Sequence, residues 1–133
     1  MGVVRNTVNE QLLRVSYKEP KNIRNFLKNW CGLESLCYKG DAVAICILAD
    51  LKRVTGIDIE KYNRGDRDRF NLCYLNGKLS HYQYMSIAYT LVLGYSQEEI
   101  AYVMGVDQSV VSKNINSGIK RIQKELNVFL EED

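Results

Sequence analysis

Three groups of residues have types and spacings that could do chemistry. The first is Asp66 and Asp68 among Arg64, Arg67 and Arg69. Paired carboxylates can act as acid and base or hold a divalent ion, but such sites also need a convergent partner. Here the charges alternate in sign along a polar stretch, which reads as a solvated turn. His81, the only histidine, stands beside Ser80 at a place suited to a helix start, with no nucleophile paired to it by sequence. No catalytic constellation emerges, and the chain is expected not to be an enzyme. The second group is Cys31, Cys37, Cys46 and Cys73. None forms the short-spaced pair that zinc sites use, so neither metal nor cofactor is expected. They read as reduced thiols, with Cys46 on an apolar helix face. The third group is Gln108, Ser109, Ser112, Lys113 and Asn116, followed by Lys120, Arg121 and Lys124. Glutamine and asparagine can pair with adenine, lysine with the guanine acceptors, and serine can donate or accept. The later cations suit phosphates, which fix position without reading sequence.

Those side chains need a helix that presents them and a second element that holds it. Ser96 and Glu99 have the spacing of a capping box and start a helix, as do Ser80 and Gln83 before it. Ala101 is the small residue required where two helices cross. Gly105, four positions later, suits a turn with positive φ. Ile100, Met104, Val106, Val111 and Ile115 fill the faces that would meet, and Asp107 can cap the second helix with its side-chain oxygen. Together these predict a helix-turn-helix whose second helix continues, because Ile119, Ile122 and Leu126 prolong the Val111–Ile115 face at helical spacing.

The rest of the chain also reads as helical. Pro20 suits a first helical turn, and Ile23, Phe26, Leu27 and Trp30 follow on one face until Gly32. Asp41 can cap a helix from Ala42 to about Val54. Its apolar residues Ala44, Ile45, Ile47, Leu48 and Leu51 wrap widely, so it is expected to be central and to leave apolar surface for a partner. Gly56 ends it, and Leu72 to Leu75 could form a short helix before the turn dipeptide Asn76-Gly77. The fold class is therefore all-α: a helical N-terminal region over residues 1–60, a polar linker over 61–78, the helix-turn-helix unit over 79–127 and an acidic tail over 128–133.

The stretches Leu79-Ser80-x-x-Gln83, Gly94-Tyr95-Ser96-Gln97-Glu98-Glu99-Ile100-Ala101, Gly105-Val106-Asp107-Gln108-Ser109-Val110-Val111-Ser112 and Ile119-Lys120-Arg121-Ile122-x-Lys124-Glu125-Leu126 resemble region 4 of the sigma-70 family. The resemblance covers residues 79–127. It implies a unit that reads the −35 promoter element in the major groove and packs on the flap of the RNA polymerase β subunit. The layout, with a helix over residues 41–54 ahead of this unit, is similar to small phage-encoded sigma-like regulators. The first seventy-odd residues are too short for regions 2 and 3, and Tyr17, Trp30 and Tyr38 are too scattered for a promoter-melting helix.

Composition sets the outer bounds. The net charge is +2, with fourteen basic against nine acidic residues before Leu79 and four against seven after it. That is a mild basic bias in the first half, not the dense coat of a nonspecific nucleic-acid binder. No apolar run is long enough for a membrane span, and the start is too polar for a secretory signal, so a cytoplasmic location is expected. The expected function is a sequence-specific regulator of transcription that binds double-stranded DNA. Its N-terminal half would mediate homodimerisation or contact RNA polymerase. The alternative is a sigma mimic that grips polymerase, and inhibits or redirects it, without reading DNA itself.

Overall fold

The computed structural model describes residues 7–131, and the side chains of residues 12–128. All regular structure in that range is helical, with no strand among the described residues: α1 (Thr7–Ser16), α2 (Pro20–Lys28), α3 (Trp30–Tyr38), α4 (Ala42–Thr55), α5 (Ile59–Asn63), α6 (Arg67–Leu72), a 3-10 turn (Cys73–Asn76), α7 (His81–Ile87) running into a π-helical stretch (Ala88–Val92), α8 (Gln97–Met104) and α9 (Gln108–Glu131). Among the described residues no helix is long and apolar enough to cross a membrane. The end of the expected acidic tail, residues 132 and 133, lies outside the described residues.

The caps fall where local chemistry puts them. The Asp41 carboxylate accepts from the Ala44 N–H at 2.9 Å. Ser80 and Gln83 form the reciprocal box that starts α7, at 3.0 and 3.2 Å. The N-terminal apolar face is divided differently from its periodicity. Rather than one helix ending at Gly32, α2 closes at Lys28, and α3 begins at Trp30 and carries Gly32 inside it. Asn29 sits at the break, and its side chain lies over Gly32, where a Cβ would come within 2.2 Å of Asn29 Oδ1. Ile23, Leu27 and Trp30 are fully buried even so.

α4 is central, as its wide apolar circumference predicts: Ala44, Cys46, Ile47, Leu48, Leu51 and Val54 are buried. It packs on α1, α3, α9 and the 3-10 turn. Most of that circumference is thus covered within the chain, with Ile45 half-buried. The helix also buries a carboxylate, Asp50, which accepts from the Tyr17 hydroxyl at 2.8 Å and lies 3.9 Å from Arg53. Gly56 ends α4 with φ of 78°, pressed so closely on the 3-10 turn that a Cβ would lie 2.2 Å from the Cys73 carbonyl oxygen.

Residues 61–78 differ from the expected polar linker. They fold as the end of α5, then α6 and the 3-10 turn, with Phe70 and Cys73 buried. The reason is aromatic. Phe70 meets Tyr62 at 5.4 Å, Tyr89 at 5.5 Å and Tyr84 at 5.8 Å between ring centroids, in the edge-on and tilted geometries that the ring quadrupole favours. Arg67 lies over the Tyr62 ring at 5.0 Å. The alternating charges of this segment face outward around that anchor. In the π-helical stretch the Leu93 N–H bonds the Ala88 carbonyl, five residues back. The extra residue shifts the register of the side chains that follow, and Tyr89 and Tyr95 meet at 5.8 Å. The Tyr62 and Tyr95 hydroxyls lie 2.5 Å apart.

Tyr84 closes the cluster by donating its hydroxyl to the Phe70 carbonyl at 2.5 Å. Burial pushes its phenol well above the ordinary tyrosine range, with Cys73 and Tyr89 adding to the shift. A folded-state pKa above the unfolded one gives stability that is complete below the unfolded value, about 10, and lost as pH rises beyond it. Tyr84→Phe should therefore lower stability at neutral pH by about 1–2 kcal/mol, through the orphaned carbonyl. It should also soften the fall of the melting midpoint above pH ~10. Thermal melts of both proteins from neutral to alkaline pH check both effects.

Candidate nucleic-acid interface

The polar residues singled out from the sequence lie at the start and along the outer face of α9. What precedes them sets its direction. Ser96 and Glu99 form the predicted box at the start of α8: the Ser96 N–H donates to Glu99 Oε1 at 3.0 Å and the Glu99 N–H to Ser96 Oγ at 3.1 Å. The Ser96 backbone bond, followed by its side chain, holds the Glu99 carboxyl below its ordinary range. α8 ends at Gly105, with φ of 68°. The Val106 N–H reaches back to the Ala101 carbonyl at 3.0 Å and the Gly105 N–H to Tyr102 at 3.2 Å. That pair of bonds is the closure a left-handed glycine makes possible. Space around Gly105 is open, so its requirement is conformational rather than steric.

Ala101 is buried on α8, Val106 is half-buried, and Val111 and Ile115 are buried on α9. Asp107 precedes α9, but in a different capping role from the one expected. Its backbone carbonyl accepts from Val110 and Val111 at 3.0 and 3.4 Å, and no bond to its carboxylate is found among the described residues.

α9 carries two opposed stripes. Val111, Ile115, Ile119, Ile122 and Leu126 form the inner one, all buried. Gln108, Ser109, Lys113, Asn116 and Lys120 are exposed, and Ser112 is half-buried. Ser109, Lys113, Asn116 and Lys120 fall at helical spacing along one side. At 1.5 Å per residue they extend over about 16 Å. Arg121 is also exposed but pairs with Glu125 at 3.5 Å, which offsets part of its charge. Lys124 is exposed further along. α7 crosses the inner side at Gly118, where a Cβ would come within 2.4 Å of Ile87 Cδ1, and Gln83 donates to Ser117 Oγ at 3.2 Å.

Two features of this surface escaped the sequence reading. Arg24 of α2 donates to Asn116 Oδ1 at 2.9 Å across 92 positions of sequence. Lys21 and Arg24 thereby join Asn116 and Lys120 along one cleft. In addition, Gln123 donates to the carbonyls of Tyr17 and Lys18 at 3.1 and 2.7 Å, and Asn127 to that of Tyr17 at 3.4 Å. The only sequence signals were two basic residues three apart on α2 and two amides four apart on α9, each also ordinary for a solvated face. Among the described residues no group of His, Cys, Asp and Glu is placed to hold a metal ion. Comparison of the chain with protein-family models, with curated proteins and with solved structures finds no match.

Two of the left-handed glycines, Gly56 and Gly105, make different predictions. Gly105→Ala should cost about 1–2 kcal/mol from backbone strain alone, and Gly105→Asn less, since asparagine tolerates this conformation. Gly56→Ala adds a collision with a backbone carbonyl and should cost clearly more. Chemical denaturation of the three variants measures the order. Equal losses at the two positions would contradict the open surroundings of Gly105.

Proposed function

We propose that the chain is a sequence-specific DNA-binding regulator of transcription, of sigma-region-4-like type, that reads the major groove with the first two turns of α9. One observation carries this reading. Gln108, Ser109 and Lys113 stand exposed at the start of a 24-residue helix whose opposite face is buried, just after the left-handed turn at Gly105. A groove-reading helix needs an amino end free of neighbours, base-matching side chains there, and a rigid back. The major groove is about 12 Å wide, enough to admit one helix.

In this reading Gln108, Ser109, Ser112 and Lys113 meet base edges. Asn116 sits where α2 begins to cover the stripe, with its carbonyl oxygen engaged by Arg24. It is placed at the edge of the reading surface, and Lys120 beyond it meets phosphate. Arg121 and Lys124 lie further from the reading turns and contribute long-range attraction.

A polymerase-gripping role without DNA reading has one observation in its favour. Tyr102 and Val103 on α8 are 88% and 73% exposed, the kind of apolar surface that a protein partner covers. It does not account for the polar residues at the start of α9.

The test is selection of bound duplexes from a random pool, with and without RNA polymerase, followed by titration of variants. Gln108→Ala and Lys113→Ala should each relax preference at particular base pairs, at about 1–3 kcal/mol. Lys120→Ala should weaken all sequences alike and reduce the salt slope by about one. Uniform weakening by all three would refute base reading. Enrichment only when polymerase is present, insensitive to Gln108 and Lys113, would favour the gripping role.

A further inference from the structure

We infer that α2 is part of the DNA surface: Lys21 and Arg24, with Lys120 of α9, form a clamp on the phosphate backbone beside the reading turns. The inference rests on the DNA-reading role proposed above and adds the N-terminal half to it.

The sequence of the second half poses a problem for duplex binding. It holds four basic residues against seven acidic ones, whereas most of the affinity of DNA-binding proteins comes from cations that displace counterions from phosphates. The fold supplies what that half lacks. α2 packs along α9, and a cleft of about 340 Å³ between them is lined by Pro20, Lys21, Arg24, Asn116, Ile119 and Lys120. Three of these six residues are cationic and none is acidic.

Among the described residues, none of the three cations is in an ion pair. Arg24 is instead positioned by a neutral partner, the Asn116 amide oxygen at 2.9 Å. That bond uses one of its five N–H donors and leaves its charge uncompensated. A guanidinium held this way keeps its planar fork ready for phosphate oxygens at little further entropic cost. The position fits as well. From Gln108 to Asn116 the helix rises about 12 Å, more than the ~8.5 Å depth of the major groove. A helix that enters start-first therefore brings Asn116, and the α2 residues bonded beside it, level with the backbone.

The experiment is titration of the full-length chain with a mixed-sequence 20-base-pair duplex at several salt concentrations. Lys21→Gln/Arg24→Gln removes both charges while keeping polar side chains, and Lys21→Gln alone spares the Asn116 bond. Lys52→Ala is the control, because Lys52 lies in a different cleft, with Glu34, Asp58 and Glu60, that shares no residue with this one. The double variant should lower the salt slope by about two and weaken binding near 0.1 M salt by about ten- to a hundredfold. Lys21→Gln should lower the slope by about one, and Lys52→Ala should change neither. Lys21→Arg/Arg24→Lys should restore most of the slope.

Wild-type slope and affinity in Lys21→Gln and in the folded double variant, while Lys113→Ala still weakens binding, would overturn the clamp and leave the reading role standing. Failure of the wild-type chain to bind the duplex at low salt would overturn both.

Discussion

The inner stripe of α9 is the constraint on which the rest of the structure depends. Val111, Ile115, Ile119, Ile122 and Leu126 are buried along one side of a single helix. α7 and α8 pack against it from the C-terminal half, and α1, α2 and α4 from the N-terminal half. Each isoleucine or leucine fully buried there is worth about 1.5–3 kcal/mol, and both halves pack on this one helix. Polar bonds fix the alignment. Gln123 and Asn127 satisfy the carbonyls of Tyr17 and Lys18 just past the end of α1, groups that a helix end otherwise leaves without partners. A fragment lacking the N-terminal half would expose the far end of this stripe. The two halves are therefore better understood as one packed unit than as a reading head on a tether.

The outer face of the same helix is left exposed at its start. The left-handed turn at Gly105 separates α9 from α8, and in its first two turns Gln108, Ser109 and Lys113 are exposed while Val111 is buried. Further along, α2 comes onto the outer stripe at Asn116 and Lys120. The exposed polar surface is thus bounded at both ends, by the turn at one and by a basic cleft at the other. The Tyr62–Phe70–Tyr84–Tyr89 cluster lies on other elements and supports α7, which in turn holds α9 through the close crossing at Gly118.

How much of this was legible in the sequence follows from the range of each interaction. Caps and turns act over three to six residues, so Asp41, Ser80, Ser96, Gly56 and Gly105 could be placed directly. The two stripes of α9 were legible because helical periodicity is local too. What could not be read acts across long separations. Phe70 looks like one apolar residue in a charged stretch until Tyr84 and Tyr89 are brought to it. Arg24 looks like any surface arginine until Asn116 arrives from 92 positions away. The break at Asn29 and the backbone role of Asp107 were missed for a different reason. In both places a residue well suited to capping through its side chain stands where the chain bonds otherwise. The exposed polar face at the start of α9 was therefore visible in advance, and the basic cleft beside it was not.

In the proposed role, the outer face of α9, flanked by α2, is where the chain meets duplex DNA. Backbone amide chemical shifts of the isotopically labelled full-length chain, followed while a short mixed-sequence duplex is added at low salt, test it most directly. The largest changes should fall on residues 108–113 and 120, with a second set on 21–24, while the separate cleft lined by Tyr38, Lys52 and Glu60 stays unmoved. Changes confined to that separate cleft, or none at α9 when the duplex is in excess, would overturn the proposed DNA-binding role.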